Sequence, residues 1–519
     1  MEKNVLEFLE NSQRMYGEKT ACADMNNELT YTQLMNQAKF IGSCLSLKIK
    51  PTQGVPVYMD KTCNTLSLFM GIVYAGGYYC MLDTTHPVER INLILDTIQA
   101  DILVVDNKSA KKAEKLGFQG EIINLDELLE EYDGQAVDSE AQERLEKIRE
   151  QALDTDPLYS IFTSGSTGVP KGVIVNHRST IDFIDCFTET FGITNEDVIG
   201  NQAPFDFDVS VKDIYSSLKT GATLQLIPKM CFSFPTKLLD FLDDRKVTTI
   251  IWAVSALCIV TTLNGFEYKR PSSLNKIMFS GEVMPIKHLN AWRVQYPDAM
   301  FVNLYGPTEI TCNCTYYIID REFGLDEKLP MGKPFANERV FLLDDEDKLV
   351  DAGRPGELGE ICVSGTAVTM GYLRNPEKTA AAFVQNPLND RYLEPMYRTG
   401  DLAYYNERGE LCFATRKDFQ IKHMGHRIEL GEIETYMNAI EGLLRSCCIF
   451  DTDENKILGF FEIEGASELD RKGVTHALKD KVPQWMIPNV LVKVETMPIT
   501  KNGKIDRKEL MKIYKEQEA

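Results

Sequence analysis

The sequence predicts an α/β protein: a large N-terminal domain of layered α/β sheets, a small β-rich unit, and a small α+β C-terminal domain. Three observations carry this. Short apolar runs alternate with helical patterns from Val55 to Leu304, the signature of layered sheets covered by helices. Gly- and Pro-rich turns between Gly353 and Gly371 flank a strand at Glu360 to Val363, and the pattern changes again near Arg416.

In chain order, Val5, Phe8, Leu9, Met15 and Tyr16 recur at helical spacing, and a second helix follows Leu29-Thr-Tyr-Thr with Leu34, Ala38, Ile41 and Leu45 on one face. Strands are expected at Val55 to Met59, Ile102 to Val105 and Ile122 to Leu125. A helix is expected from Val88 to Gln99, with Pro87 in its first turn. The acid-rich stretch 121 to 150 reads as a solvated helical face, with an acidic interaction surface as the alternative. Further strands are expected at Val198 to Ala203, Thr223 to Ile227, Thr249 to Trp252, Lys276 to Phe279 and Met300 to Leu304. Beyond Arg416 come a helix from Leu430, strands at Cys447 to Phe450 and Ile457 to Ile463, a helix at Leu469 to Lys481 and a strand at Val490 to Val494.

Composition narrows the function. The 519 residues, 44% hydrophobic, are ample for large cores, and 56 Lys plus Arg against 77 Asp plus Glu give a net charge of −21. That balance argues against a partner made of nucleic acid or anionic membrane, so any anion must be held locally. The 13 cysteines show no paired Cys-x-x-Cys spacing and the six histidines no His-x-x-x-His pattern, so reduced, packed thiols and no zinc site are expected. No run approaches the ~18 apolar residues of a membrane span, and the N-terminus is acidic and amphipathic; a cytoplasmic enzyme without membrane insertion is expected.

The chemistry centres on Thr163-Ser-Gly-Ser-Thr-Gly-Val-Pro-Lys-Gly172, between apolar runs that read as buried strands. Its glycines let the backbone approach a ligand, its hydroxyls and N–H groups donate, and Lys171 adds charge, which are phosphate-cradling properties. The spacing is not that of a Walker loop, and a flexible Gly/Ser turn is the bland alternative. Asn303-Leu-Tyr-Gly-Pro-Thr-Glu309 leaves a strand at the edge where open α/β sheets bind ligands: Tyr305 can stack on a base, Thr308 can bond a phosphate and Glu309 can hold Mg²⁺. Asp401 can accept two ribose hydroxyls, or be a turn residue. Asp208 sits among apolar neighbours at the start of a helical pattern, either meeting a cation or capping the helix. Lys504 reads by itself as one base in a solvated tail.

Together these stretches resemble the adenylation enzymes that include nonribosomal peptide synthetase adenylation domains, acyl-CoA synthetases and luciferases. The resemblance covers nearly the whole chain: besides the segments above it takes in Phe207 to Ser210, Gly356 to Glu360, Gly371-Tyr-Leu373, Tyr397 to Leu402, Asp418 to Lys422, Gly425-His-Arg-Ile-Glu-Leu-Gly-Glu-Ile-Glu434, Trp485 to Pro488 and Asn502 to Arg507. It is greatest to stand-alone D-alanine:carrier protein ligases, through Val211 to Leu218 and Phe279 to Pro285. It implies a two-step reaction, in which a carboxylate attacks the α-phosphate of ATP and a phosphopantetheine thiol then takes the acyl group. By that resemblance Thr163, Ser164, Gly165, Ser166, Thr167, Gly168 and Lys171 clamp pyrophosphate, Asn303 and Tyr305 the adenine, Asp401 and Arg416 the ribose. Thr308 and Glu309 address the α-phosphate and Mg²⁺, and Lys504 bridges the substrate carboxylate and the α-phosphate. It also implies that a mobile C-terminal domain, 419–519, turns on a hinge, 416–418 with Asp418 its pivot, against the core, 1–415, bringing Gly425 to the thiol path. Thr415 departs from the glycine usual before the arginine.

In amino-acid-activating members an aspartate at the position of Asp208 pairs with the substrate ammonium, so a small amino acid is expected, with an acyl-CoA synthetase for another acid as the rival and an inactive nucleotide-binding scaffold as a third reading. Val209, Lys212, Ile251, Met278, Ser280, Leu304, Cys312 and Asn313 are expected to line the rest of the pocket. Lys212, one turn after Asp208, can pair with it or reach a substrate side-chain carboxylate; a solvated or structural lysine is the favoured reading. Ser280 stands where the D-alanine ligases usually carry cysteine. No Gly-x-Asp-Ser-Leu phosphopantetheine site is present, so the acceptor is expected to be a carrier protein on another chain.

Overall fold

The computed structural model describes residues 2–165, 169–325, 327–417, 420–463, 469–499 and 505–518. Two large sheets form the N-terminal domain. In the six-stranded sheet Glu121–Asn124, Ile102–Val105, Gly54–Tyr58, Tyr78–Leu82 and Pro157–Thr163 run parallel, and Lys171–Asn176 closes it antiparallel. The nine-stranded sheet has a parallel centre, Met300–Tyr305, Lys276–Ser280, Thr249–Ala253, Val198–Asn201, Thr223–Leu226 and Thr20–Ala23, with antiparallel strands at both edges. Their near-continuous apolar strands are those of sheets covered on both faces.

One hydrophobic cluster joins the two sheets: Val57, Tyr79 and Tyr159 from the first, Ile251, Met278 and Leu304 from the second, and between them residues of the helices Tyr31–Leu45, Cys63–Tyr74 and Val209–Thr220. The outer face of the larger sheet has its own cluster around Trp252 and Trp292. Gly359–Gly365 and Pro395–Tyr405 form the centre of a third, antiparallel sheet, the β-rich unit expected from its turns. The smaller C-terminal domain carries the hairpin Gln420–His423/His426–Glu429 and the sheet Leu443–Asp451, Lys456–Ile463, Val490–Lys493, packed on helices Leu430–Asn438, Arg471–Lys479 and Arg507–Glu518.

Several boundaries differ from expectation for local reasons. The strand at 122 ends at Asn124, whose side chain accepts the Asp126 N–H and opens a helix at Leu125. Pro87 caps the helix Val88–Ile98 from outside its first turn. The helix expected from Leu469 begins at Arg471, because Asp470 accepts the Gly473 N–H. Met15 points to solvent, 63% exposed. The acid-rich helix Ser139–Gln151 buries only Ala141 and Leu145, so its carboxylates do form a solvated face.

Candidate functional site

The strands Pro157–Thr163 and Lys171–Asn176 pair with Thr163 opposite Lys171, so the glycine-rich loop is the connection of an antiparallel hairpin at the edge of the smaller sheet. Thr163 and Ser164 are buried. A Cβ on Gly165 would lie 2.2 Å from the Val169 carbonyl oxygen, which demands glycine there. Ser166, Thr167 and Gly168 lie outside the described residues.

Among the described residues of this loop, Ser164, Gly165 and Lys171 are engaged by the C-terminal domain. Ser164 Oγ donates to the Arg427 carbonyl at 2.8 Å and accepts the Glu429 N–H at 3.2 Å. The Gly165 N–H donates to Glu432 Oε2 at 3.2 Å, and Glu432 Oε1 is held by Arg90 at 2.5 Å. Lys171 Nζ stands 3.8 Å from Glu429 and 5.3 Å above the Tyr372 ring. Burial, then Arg427, lower the Lys171 pKa against the pull of Glu309 and Glu429.

The strand Met300–Tyr305 runs into a turn where a Cβ on Gly306 would meet Asn313 Cα at 2.5 Å, and Thr308–Ile310 follow as one helical turn. Thr311 and Cys312 then both take left-handed φ values, 54° and 75°, stored strain of the kind found at functional sites. The turn delivers Glu309 fully buried, with Oε1 accepting from the Tyr372 hydroxyl at 2.8 Å and Oε2 from Arg427 Nη1 at 2.6 Å. Burial alone would raise its pKa; Arg427, Lys171 and the Tyr372 bond outweigh it and hold the carboxyl at about 2.

Asp401 and Arg416 face each other across the strands Pro395–Tyr405 and Leu411–Arg416. Arg416 Nη1 bonds Asp401 Oδ1 and the Tyr305 hydroxyl bonds Oδ2, each at 2.5 Å. The Asn303 amide donates to the Pro330 carbonyl at 2.8 Å, and Lys422 Nζ lies 5.5 Å over the Tyr305 ring. Asn303, Tyr305, Asp401 and Arg416 are thus gathered into one wall.

Asp208 immediately precedes the helix Val209–Thr220 but its side chain does not cap it, so the capping alternative fails. Burial raises the Asp208 pKa, opposed by Thr308, Lys212 and Lys422. Lys212 is fully buried, not solvated as one expectation had it: the core between the sheets encloses it, and its ammonium donates to Asn313 Oδ1 at 2.5 Å. Cys312 Sγ donates to the Asp208 carbonyl at 3.0 Å. Strand alternation sets Ile251, Met278, Ser280 and Leu304, all buried, on the sheet face that packs against this helix, and Val209 is buried at its start.

Gly425, at φ 80°, turns the C-terminal hairpin; its N–H donates to Glu282 Oε1 at 3.0 Å, and a Cβ there would press on Ala253 at 3.2 Å. His426 stacks on Trp485 with ring centres 3.9 Å apart and meets the edge of Phe207 at 5.0 Å. Asp418 and Lys504 lie outside the described residues. The partners that residue-by-residue reading missed are Tyr372, Lys422, Arg427, Glu429, Glu432, Arg90 and Glu282. Most lie inside stretches that carry the resemblance, but nothing local marks them as site residues.

Residues 9–373 match the model of a family described as AMP-binding enzyme. Tyrocidine synthase 1 of Brevibacillus parabrevis is 30% identical over 511 residues, 98% of this chain but 45% of that protein, so the chain spans less than half of its length. Zwittermicin A synthase ZmaJ of Bacillus cereus is 32% identical over 494 residues, covering 93% of this chain and 90% of the relative. Among solved structures, the Vibrio cholerae adenylation domain AlmE in complex with glycyl-adenosine-5'-phosphate shares the fold, with a TM-score of 0.84 at 21% identity over 99% of this chain and 98% of that one. With a family model matched over most of its length, the chain belongs to the AMP-binding enzymes, the adenylate-forming family its motifs resemble.

Proposed function

We propose that the chain activates a small amino acid with ATP as an aminoacyl adenylate and passes it to the phosphopantetheine thiol of a separate carrier protein. The observation that carries the amino-acid part is Asp208: a carboxylate that caps nothing, stands beside Thr308, and has the lysine one turn along its helix tied to Asn313. A substrate ammonium is the partner such a group lacks, and an acid without an amino group leaves it half-buried and underpaired. The burial of Lys212, Cys312 and Asn313 favours a small side chain.

In the first step Tyr305 and Asn303 receive the adenine, Asp401 with Arg416 the ribose, and Ser164, Gly165 and Lys171 the departing pyrophosphate. Thr308 bonds the α-phosphate. Lys504 supplies positive charge between substrate carboxylate and α-phosphate; at about 4 Å and an effective dielectric near 20 that is worth roughly 4 kcal/mol. Glu309 is a single buried acid, which fits Mg²⁺ as the ion is usually held, by one or two carboxylates plus phosphate oxygens. The ion would supply charge neutralisation on the phosphates. The arrangement described here, with Arg427 on Glu309 and Glu432 on the Gly165 amide, suits the second step, when the phosphates are gone and Gly425 borders the thiol path. Rotation about residues 416–418 then exchanges the hairpin for Lys504.

The test is amino-acid-dependent exchange of labelled pyrophosphate into ATP across glycine, L-amino acids, D-alanine, aryl and fatty acids, with Lys504→Ala as control. Exchange with a small amino acid, abolished in the control, supports the proposal; exchange only with acids lacking an amino group replaces it by an acyl-CoA synthetase.

A further inference from the structure

Away from the nucleotide wall, at the junction of the two domains, a second group of ligating side chains stands on two loops. Asp83 and His86 follow the strand Tyr78–Leu82, and Asp206 lies just before the helix Val209–Thr220. One ligating atom from each falls within 4.8 Å of the others. His86 Nε2 is 4.0 Å from Asp83 Oδ2, while Asp83 Oδ1 is taken by the Thr85 N–H at 2.7 Å, which aims Oδ2 at the imidazole. Both ring nitrogens of His86 are shielded from water and neither has a hydrogen-bond partner. A buried imidazole between two carboxylates with both nitrogens unused is an anomaly, because such groups are nearly always satisfied.

We propose that Asp83, His86 and Asp206 bind one divalent first-row cation, Mn²⁺ or Zn²⁺, at a site separate from Glu309. One imidazole and two carboxylates form a mixed N/O donor set that suits these ions and leaves open positions for water. Metal–ligand bonds of roughly 2.0–2.2 Å place ligand atoms about 3–3.5 Å apart, so closing the site takes only small side-chain rotations. Two cations neighbour the site: Arg90 is already neutralised by Glu432, and Lys229 opposes the bound charge. The His86 ring lies 5.3 Å from Trp485 of the C-terminal domain. An occupied site therefore fixes the ring on which that domain rests, and couples the cation to domain docking.

The probe is Mn²⁺ added to the chelator-treated full chain without nucleotide, which keeps the 13 cysteines, poor ligands for this hard ion, from competing. Electron paramagnetic resonance should count one bound ion with a nitrogen coupling from an imidazole. His86→Ala should abolish the coupling, His86→Ala and Asp206→Asn should each weaken binding by about tenfold or more, and Glu309→Gln should leave it intact. No bound ion at millimolar Mn²⁺, or binding that survives both His86→Ala and Asp206→Asn, overturns the proposal. Neither result depends on pyrophosphate exchange, so the site and the proposed reaction stand or fall separately.

Discussion

Asp208, half-buried, and Glu309, fully buried, are both carboxylates beside cations, yet they are held in opposite ways. Of the groups around Asp208, Thr308 and Lys212, with Asn313 behind the lysine, come from the N-terminal domain, and Lys422 comes from the C-terminal hairpin. Glu309 takes Arg427 from a hairpin 118 residues away, in the other domain. Removing one member of a buried ion pair costs about 3–5 kcal/mol, so Glu309 cannot release Arg427 unless another cation takes its place. The first site therefore keeps Lys212 whatever the C-terminal domain does, and the second is exchangeable. Triphosphate with its cation is the natural replacement for the hairpin, since Glu429 and Glu432 now occupy the phosphate-loop donors.

The comparison can be broken most sharply at Glu309. Glu309→Gln should lower pyrophosphate exchange about a hundredfold or more, because the group that receives cationic charge in the transition state is gone. An unchanged exchange rate would show Arg427 to be a structural partner only.

Asp208→Ala should raise KM for the amino acid by about tenfold to a hundredfold, the value of one charge-assisted hydrogen bond, and erase discrimination against the analogue lacking the amino group. If KM holds and discrimination persists, the ammonium is read elsewhere.

Arg427→Met separates the two sites. Exchange should stay at or above the wild-type rate while transfer to a pantetheine thiol falls about tenfold, one lost interaction with a charged group. Equal losses in both steps would mean that Glu309 needs Arg427 throughout.

The smallest effect concerns acid stability. The Glu309 carboxyl sits at about 2 against an ordinary 4.5, so its contribution to stability is complete above pH 4.5 and is lost as pH falls toward 2. Melting curves of wild type between those limits should slope more steeply than those of Glu309→Gln.

Much of this was legible in the chain. Most strand positions and the tight connection of two buried strands by the phosphate loop follow from alternating apolar runs and glycine placement; the antiparallel pairing of those strands comes from the structure. Asp401 and Arg416 were both named for one ligand, and they face each other across two strands. Other residues misled for a physical reason. Asp208 stands where a capping aspartate would, yet its side chain makes no cap bond. Lys212 reads as solvated or structural, and the solvated half fails: the core closes over it, with Asn313 offering an oxygen from a strained turn 101 residues on.

What the sequence by itself determined were the elements, the turns and the donor types: helical and strand periods, helix caps and glycine turns are set by neighbours a few residues apart, and so is the inventory of hydroxyls, amides and charges in each motif. What only the tertiary structure decided was which charge meets which. Arg90 with Glu432, Arg427 with Glu309, and His86 between Asp83 and Asp206 are chosen by the folded path of the chain, since electrostatic pairing in a dry interior depends on distance through space and not along the sequence.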